Sequence, residues 1–177
     1  MRLFVAFAFP DSVAASLTTI QSGVPGARWQ TREQMHLTLR FIGEVDGRDA
    51  AAIDDALLPL SAPPLTLQLK GVGEFGGRKP HTLWAGVAQN DGLLHFQRKI
   101  ETALQRVGLE AEPRKFTPHA TLARLRATPR GRVMDYLVDH ALYSSAPFEA
   151  REFILYSSHL SPNGSIYRPE QVYPLRG

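Results

Sequence analysis

Two periodicities run along this chain. Apolar residues at every second position bury one face of a strand, and apolar residues every three or four positions bury one face of a helix. Arg2 to Phe9 is rich in strand formers and predicts a first strand. Asp11 or Ser12 caps a helix to about Ser22, with Val13, Leu17 and Ile20 on one side. Gly23 to Gly26 predicts a turn, and Ala27 to Gln30 a short extended piece. Met35 to Val45 reads as a strand, Asp46 or Asp49 opens a helix through Leu58, and Pro59 stops it. Leu65, Leu67 and Leu69 alternate with Thr66, Gln68 and Lys70 in a half-buried strand, and Thr82 to Ala88 is another. Asn90-Asp91 caps the longest helix, whose stripe includes Leu93, Phe96, Ile100 and Leu104 and which Gly108 ends. Phe116 to Leu125 is a strand and Pro129 to Leu142 a helix. Strands Glu149 to Ser158 and Ile166 to Tyr173 flank a turn at Ser161-Pro162-Asn163-Gly164.

Gly71-Val72-Gly73-Glu74-Phe75-Gly76 fits the dinucleotide-binding pattern by letter. That fingerprint needs a helix immediately after it. Gly77-Arg78-Lys79-Pro80 and a strand follow, so the stretch reads as a glycine-rich loop between strands. Hairpins mixed with crossover helices predict an α+β fold. At 177 residues without a linker, the chain is expected to form one domain, 1–177. No run of eighteen apolar residues appears, so no membrane span is expected. The apolar start is followed by Pro10-Asp11 rather than a small-residue cleavage site, and so reads as a strand and not a signal peptide. The chain has no cysteine, which excludes disulfides and thiolate metal sites and fits the cytoplasm. A net charge of +3 says little alone. However, seven cations lie between Arg106 and Arg132 against Glu110 and Glu112, which suits a phosphate-bearing ligand.

That basic stretch brackets one of two related motifs. His36-Leu37-Thr38-Leu39 and His119-Ala120-Thr121-Leu122 each lie in a strand-like run. Residues two apart share a strand face, so each segment offers an imidazole beside a hydroxyl. The chain has six histidines, and only these two have Thr two places on. They stand 83 positions apart (119 − 36), close to half the chain, which predicts two internal pseudo-repeats that each supply one His-Thr pair.

With Met35 to Val45 and Pro118 to Arg124, and with Arg2-Leu3-Phe4-Val5-Ala6, Leu83-Trp84-Ala85-Gly86-Val87 and Gly164-Ser165-Ile166-Tyr167 in support, the chain resembles the 2H phosphoesterase superfamily. Within it the chain is most similar to the RNA 2′,3′-cyclic phosphodiesterase clade, also called 2′-5′ RNA ligases. The resemblance implies two pseudo-symmetric lobes, each an antiparallel sheet with outer helices, around a central V-shaped cleft with one motif per sheet. It implies His36 as proton donor to the departing ribose 3′-oxygen and His119 as proton acceptor from water. Thr38, Thr121 and Arg124 are carried over as phosphate ligands. The implied partners are RNA ends or nucleotides carrying 2′,3′-cyclic phosphate, hydrolysed to a 2′-phosphate. No metal, cofactor or membrane is expected, and the protein is expected to be a monomer.

The residues themselves support part of this. Two imidazoles facing each other across phosphorus can activate water on one side and protonate the leaving oxygen on the other. Threonine hydroxyls can donate to the non-bridging oxygens, and a guanidinium strengthens that contact. The motifs are nearly symmetric, so they do not assign acid and base. Strict alternation would put Arg124 on the face opposite His119 unless the strand bends or ends, whereas Arg40 is in phase with His36 and Thr38. Arg124 is therefore ranked by resemblance and Arg40 by geometry. Phe9, Phe75 and Tyr167 are candidates for stacking on a base. His-x-x-x-His, His-x-His and Gly-x-Ser-x-Gly are all absent, which argues against a metallohydrolase or a serine hydrolase. A non-catalytic RNA-end-binding domain and a 2′-5′ ligase running the reverse chemistry are the alternatives.

Overall fold

Strand β1 (Arg2–Ala8) is buried from Leu3 to Phe7 because both of its faces are covered. Phe7 packs on Phe96 of a helix, while Phe4 packs on His36 of the neighbouring strand. The computed structural model describes all of residues 1–177. From β1 the chain continues through α1 (Asp11–Thr18), β2 (Ala27–Trp29), a 3₁₀ turn (Arg32–Gln34), β3 (His36–Glu44) and α2 (Gly47–Leu57). Then come β4 (Leu65–Leu67), β5 (Leu69–Phe75), β6 (Thr82–Val87), α3 (Asp91–Arg106) and β7 (His119–Leu125). The chain finishes with α4 (Arg130–Asp139), β8 (Phe148–Ala150), β9 (Glu152–Ser161) and β10 (Gly164–Pro174). Capping follows the sequence at α2 and α3, where Asp46 accepts from the Asp49 amide and Asn90 from the Leu93 amide, but not at α1, which starts directly after Pro10 with Asp11 and Ser12 inside its first turn and no side-chain cap.

The strands run β10-β9-β1-β3 in one lobe and β7-β6-β5 in the other, with β2 on the open stretch of β7. All pairings are antiparallel. The lobes touch edge to edge at one pair, Leu37 with Ala120. Those residues sit inside the two motifs and are also 83 positions apart (120 − 37). Strands β4 and β8 pair with each other at the same spacing (148 − 65), so one pseudo-twofold relates both contacts. Helices α2 and α3 cover the first lobe, where Phe96, Phe153 and Tyr173 stack beneath Phe7. Beside the second lobe, Trp29 of β2 packs on Tyr136 of α4, and the Tyr136 hydroxyl donates to the Ile20 carbonyl. No helix is long and apolar enough to cross a membrane.

The glycine-rich stretch is not a loop. Strand β5 runs through it to Phe75, and what alternation suggests as one strand from Leu65 is two. Gly71, at φ +73°, makes the bulge that the ladder to β6 skips, and its amide bonds to the Tyr143 carbonyl. At Gly73 a Cβ would come within 2.3 Å of the Trp84 ring, so only glycine lets that ring lie across the strand. The glycines serve the sheet and not a pyrophosphate.

Candidate active site

Both motif histidines are half-buried and held in the same way. His36 Nδ1 lies 2.8 Å from the Gln34 carbonyl and His119 Nδ1 lies 2.6 Å from the Thr117 carbonyl, two residues upstream in each case. A carbonyl only accepts, so each Nδ1 carries the proton and each neutral ring keeps its Nε2 lone pair. An aromatic edge fixes each ring plane: Tyr167 against His36 (5.0 Å, 88°) and Phe75 against His119 (4.9 Å, 85°). Phe75 and Tyr167, candidates for base stacking, thus pack on the imidazoles, and Phe9 packs on Phe148. Thr38 and Thr121 follow in phase, half-buried, on the same faces as their histidines.

Each motif strand then breaks alternation at the same point. Against β1 the register steps from Thr38 to Arg40 and skips Leu39; against β6 it steps from Thr121 to Ala123 and skips Leu122. These are β-bulges, and each leaves two consecutive residues facing the core side. The freed carbonyls are satisfied by glutamine amides: Gln97 donates to Leu39 and Gln21 to Leu122. The bulge on β7 brings Arg124 back into phase with His119 and Thr121, which places the residue ranked by resemblance on the cleft face. The bulge on β3 has the opposite consequence for Arg40. Alternation puts it beside His36, but it is buried, paired with Glu101 at 2.6 Å and bonded to the Phe41 and Glu110 carbonyls. Phe41 takes the in-phase position instead and stays 52% exposed.

Arg124 Nη1 donates to Thr82 Oγ1 at 3.0 Å, and Thr82 Oγ1 is 2.8 Å from His81 Nδ1. Thr82 is 1% exposed, so its hydroxyl has no solvent and serves as the anchor of the guanidinium. Periodicity gives no sign of this; only the β6–β7 pairing of Thr82 with Arg124 reveals it. A cavity of about 580 Å³ opens over these residues, with Thr38, Phe41, Thr82, His119 and Arg124 in its wall and Arg114 and Lys115 at its rim. His36 and Thr121 do not line it, yet His36 is close enough to feel both His119 and Arg124. Burial, with smaller contributions from those two charges, pushes His36 down to about 4 against the Gln34 hydrogen bond. Burial also lowers His119, as does Arg124, against the Thr117 hydrogen bond. No group of three or more His, Cys, Asp or Glu side chains converges as a metal site would require.

Two antiparallel lobes with outer helices, each presenting one His-x-Thr segment at their junction, define the class as that of the 2H phosphoesterases. More narrowly, residues 9–161 match the family model of the 2′-5′ RNA ligase superfamily, and the chain belongs to that family. The RNA 2′,3′-cyclic phosphodiesterase of Archaeoglobus fulgidus is 32% identical, covering 98% of this chain and 99% of that one. The enzyme of the same name from Methanocaldococcus jannaschii is 30% identical over 94% of this chain and 96% of its own. Among solved structures, TT0787 of Thermus thermophilus superposes with a TM-score of 0.82 at 27% identity, covering 100% and 99% of the two chains. Escherichia coli LigT complexed with 3′-AMP has the same fold, with a TM-score of 0.82 at 24% identity and coverage of 99% and 98%.

Proposed function

We propose that this protein hydrolyses RNA 2′,3′-cyclic phosphate ends to 2′-phosphates by metal-independent acid–base catalysis between His36 and His119. The observation that carries this reading is the matched pinning of both Nδ1 atoms, which leaves two Nε2 atoms to face a substrate across the lobe junction. Named activities of full-length relatives at 30–32% identity point the same way. Water attacks phosphorus and gives its proton to His119 Nε2. The P–O3′ bond breaks, and His36 Nε2 protonates the departing oxygen. Thr38, Thr121 and Arg124 hold the non-bridging oxygens, where negative charge grows. Phe41 offers an apolar surface beside them for the nucleoside.

On the protein alone both imidazoles are biased towards the neutral form, and His36, the assigned acid, more so. An anionic phosphate against Nε2 raises both. The acid therefore acquires its proton with the substrate, and the resting site is poised as base. Convergent carboxylates or histidines for a metal are lacking, which favours the direct proton route. The test is to give the protein an RNA ending in 2′,3′-cyclic phosphate, with EDTA present, and identify the end group. A 2′-phosphate is expected. A 3′-phosphate product overturns the orientation, and activity that EDTA abolishes and a divalent ion restores overturns the mechanism.

A further inference from the structure

The second lobe carries an arginine that the reaction above does not use. In the β2–β7 ladder Arg28 stands directly opposite Arg124. Directly opposed residues of an antiparallel pair share a face with Cβ atoms about 5 Å apart, and like charges there repel. The face is the cleft face. Arg28's neighbour Trp29 packs the other way, against Tyr136, while the β7 bulge turns Arg124 to the cleft. No carboxylate offsets the pair. The ion pairs of the molecule are Met1–Glu44, Arg40–Glu101, Arg114–Glu112 and Arg151–Glu149, and Arg28 also makes no side-chain hydrogen bond within the protein.

The two guanidiniums lean apart. Arg124 is drawn to Thr82 on β6. Arg28 reaches towards the tip of the β9–β10 hairpin, where a Cβ on Gly164 would come within 3.1 Å of its Nη2. That tip is tied to the site, because Gln34 donates to the Ser165 carbonyl while its own carbonyl holds His36. Arg28 thus stands on the cleft face between the His36 support and Arg124, exposed and unpaired. Two opposed cations kept without an acid are stabilised by a bound anion, and a planar guanidinium suits a phosphodiester.

We propose that Arg28, opposite Arg124, forms a subsite for a second phosphate, the 5′-phosphodiester of the nucleotide whose cyclic end lies between the histidines. This rests on the function proposed above. In the reaction proposed above the reacting phosphate is held by the histidines, the threonines and Arg124, and the next phosphate along an RNA strand is the 5′ linkage of the same nucleoside, left to Arg28. Arg124 lowers the affinity of both histidines for protons, which sets it beside the reacting centre, and Arg28 stands across the β2–β7 ladder from it. The subsite makes the protein a reader of polynucleotide ends in preference to mononucleosides.

Equilibrium binding of adenosine 2′,5′-bisphosphate and adenosine 2′-monophosphate tests this without turnover, since the two differ only by the 5′-phosphate. The wild-type protein should bind the bisphosphate more tightly, by roughly ten- to a hundredfold for one charge-assisted contact. Arg28→Ala should collapse that ratio towards one, and Arg28→Lys should keep part of it. A wild-type ratio of one, an unchanged ratio in Arg28→Ala, or equal weakening of both ligands overturns the proposal. If the ratio behaves as stated but cyclic phosphate ends are not hydrolysed, the function proposed above fails and the subsite stands.

Discussion

The two lobes repeat each other in the features that position a histidine and differ in the wall each gives to the cleft. Each has an Nδ1 bonded to the carbonyl two residues back, an aromatic edge on the ring, a bulge after the threonine, and a glutamine amide on the freed carbonyl. Five residues past the histidine they part. The first lobe presents Phe41, backed by Phe4 at 5.7 Å; the second presents Arg124, backed by the Thr82 hydroxyl. One residue earlier, Arg40 is locked to Glu101 where the second lobe has Ala123. A symmetric scaffold thus aims two similarly held imidazoles, and the exchange of Phe41 for Arg124 gives the cleft an apolar wall and a cationic wall. In the proposed reaction that difference is what holds the ribose one way round.

The largest effects should come from the repeated part. His36→Ala and His119→Ala should each lower kcat by roughly a hundredfold or more. The double variant should lose less than the product of the two, since the pair acts as a unit. Near-native turnover in either single variant removes that histidine from the mechanism. An activated aryl phosphodiester then separates the roles, because a good leaving group needs little protonation. Turnover of it should be largely restored in His36→Ala and not in His119→Ala. The reverse pattern would exchange acid and base.

The differing part should give the next effect. Arg124→Ala should lower kcat/KM on the order of a hundredfold, the scale for loss of one oxyanion donor, whereas Phe41→Ala should act mainly through KM. If both variants change the same kinetic constant, the cationic and apolar walls do not have separate duties. Thr82→Val should reproduce a fraction of the arginine's loss, on the order of tenfold, and Thr82→Ser should restore it. In an Arg124→Ala background Thr82→Val should cost almost nothing more. Additive losses would mean that Thr82 acts independently of the guanidinium.

The smallest effect is a displacement in pH. The competent pair carries one proton, and on the protein alone His36 is lowered to about 4 with His119 below its ordinary 6.5. The singly protonated state therefore peaks on the acid side, and kcat/KM should fall as pH rises through 7. Bound phosphate favours the protonated rings, so the bell for kcat should lie at higher pH, by about one unit. A kcat/KM that rises from pH 6 to 8 would contradict the electrostatics of the cleft.

Much of this molecule is written in local pattern. Helix caps at Asp46 and Asn90, the apolar stripe of α3 and the strand character of both motifs follow from residue type and spacing, because capping and one-sided burial act over a few residues. The paired His-x-Thr text, with its half-chain spacing, likewise marked the two segments that the fold brings together at the lobe junction. Other features depended on partners far away in sequence. Whether a strand keeps or breaks alternation is decided by the ladder beside it, so Arg40 and Arg124 exchange the faces that a period of two assigns them. The glycines of β5 are explained only by Trp84 lying over Gly73, and Thr82 matters only because β6 brings it opposite Arg124. Sequence alone determined the family to which the chain belongs, since its motifs are fixed by residue type at short range. Tertiary structure decided which of its arginines face the cleft, because a bulge is a property of two paired strands and not of one.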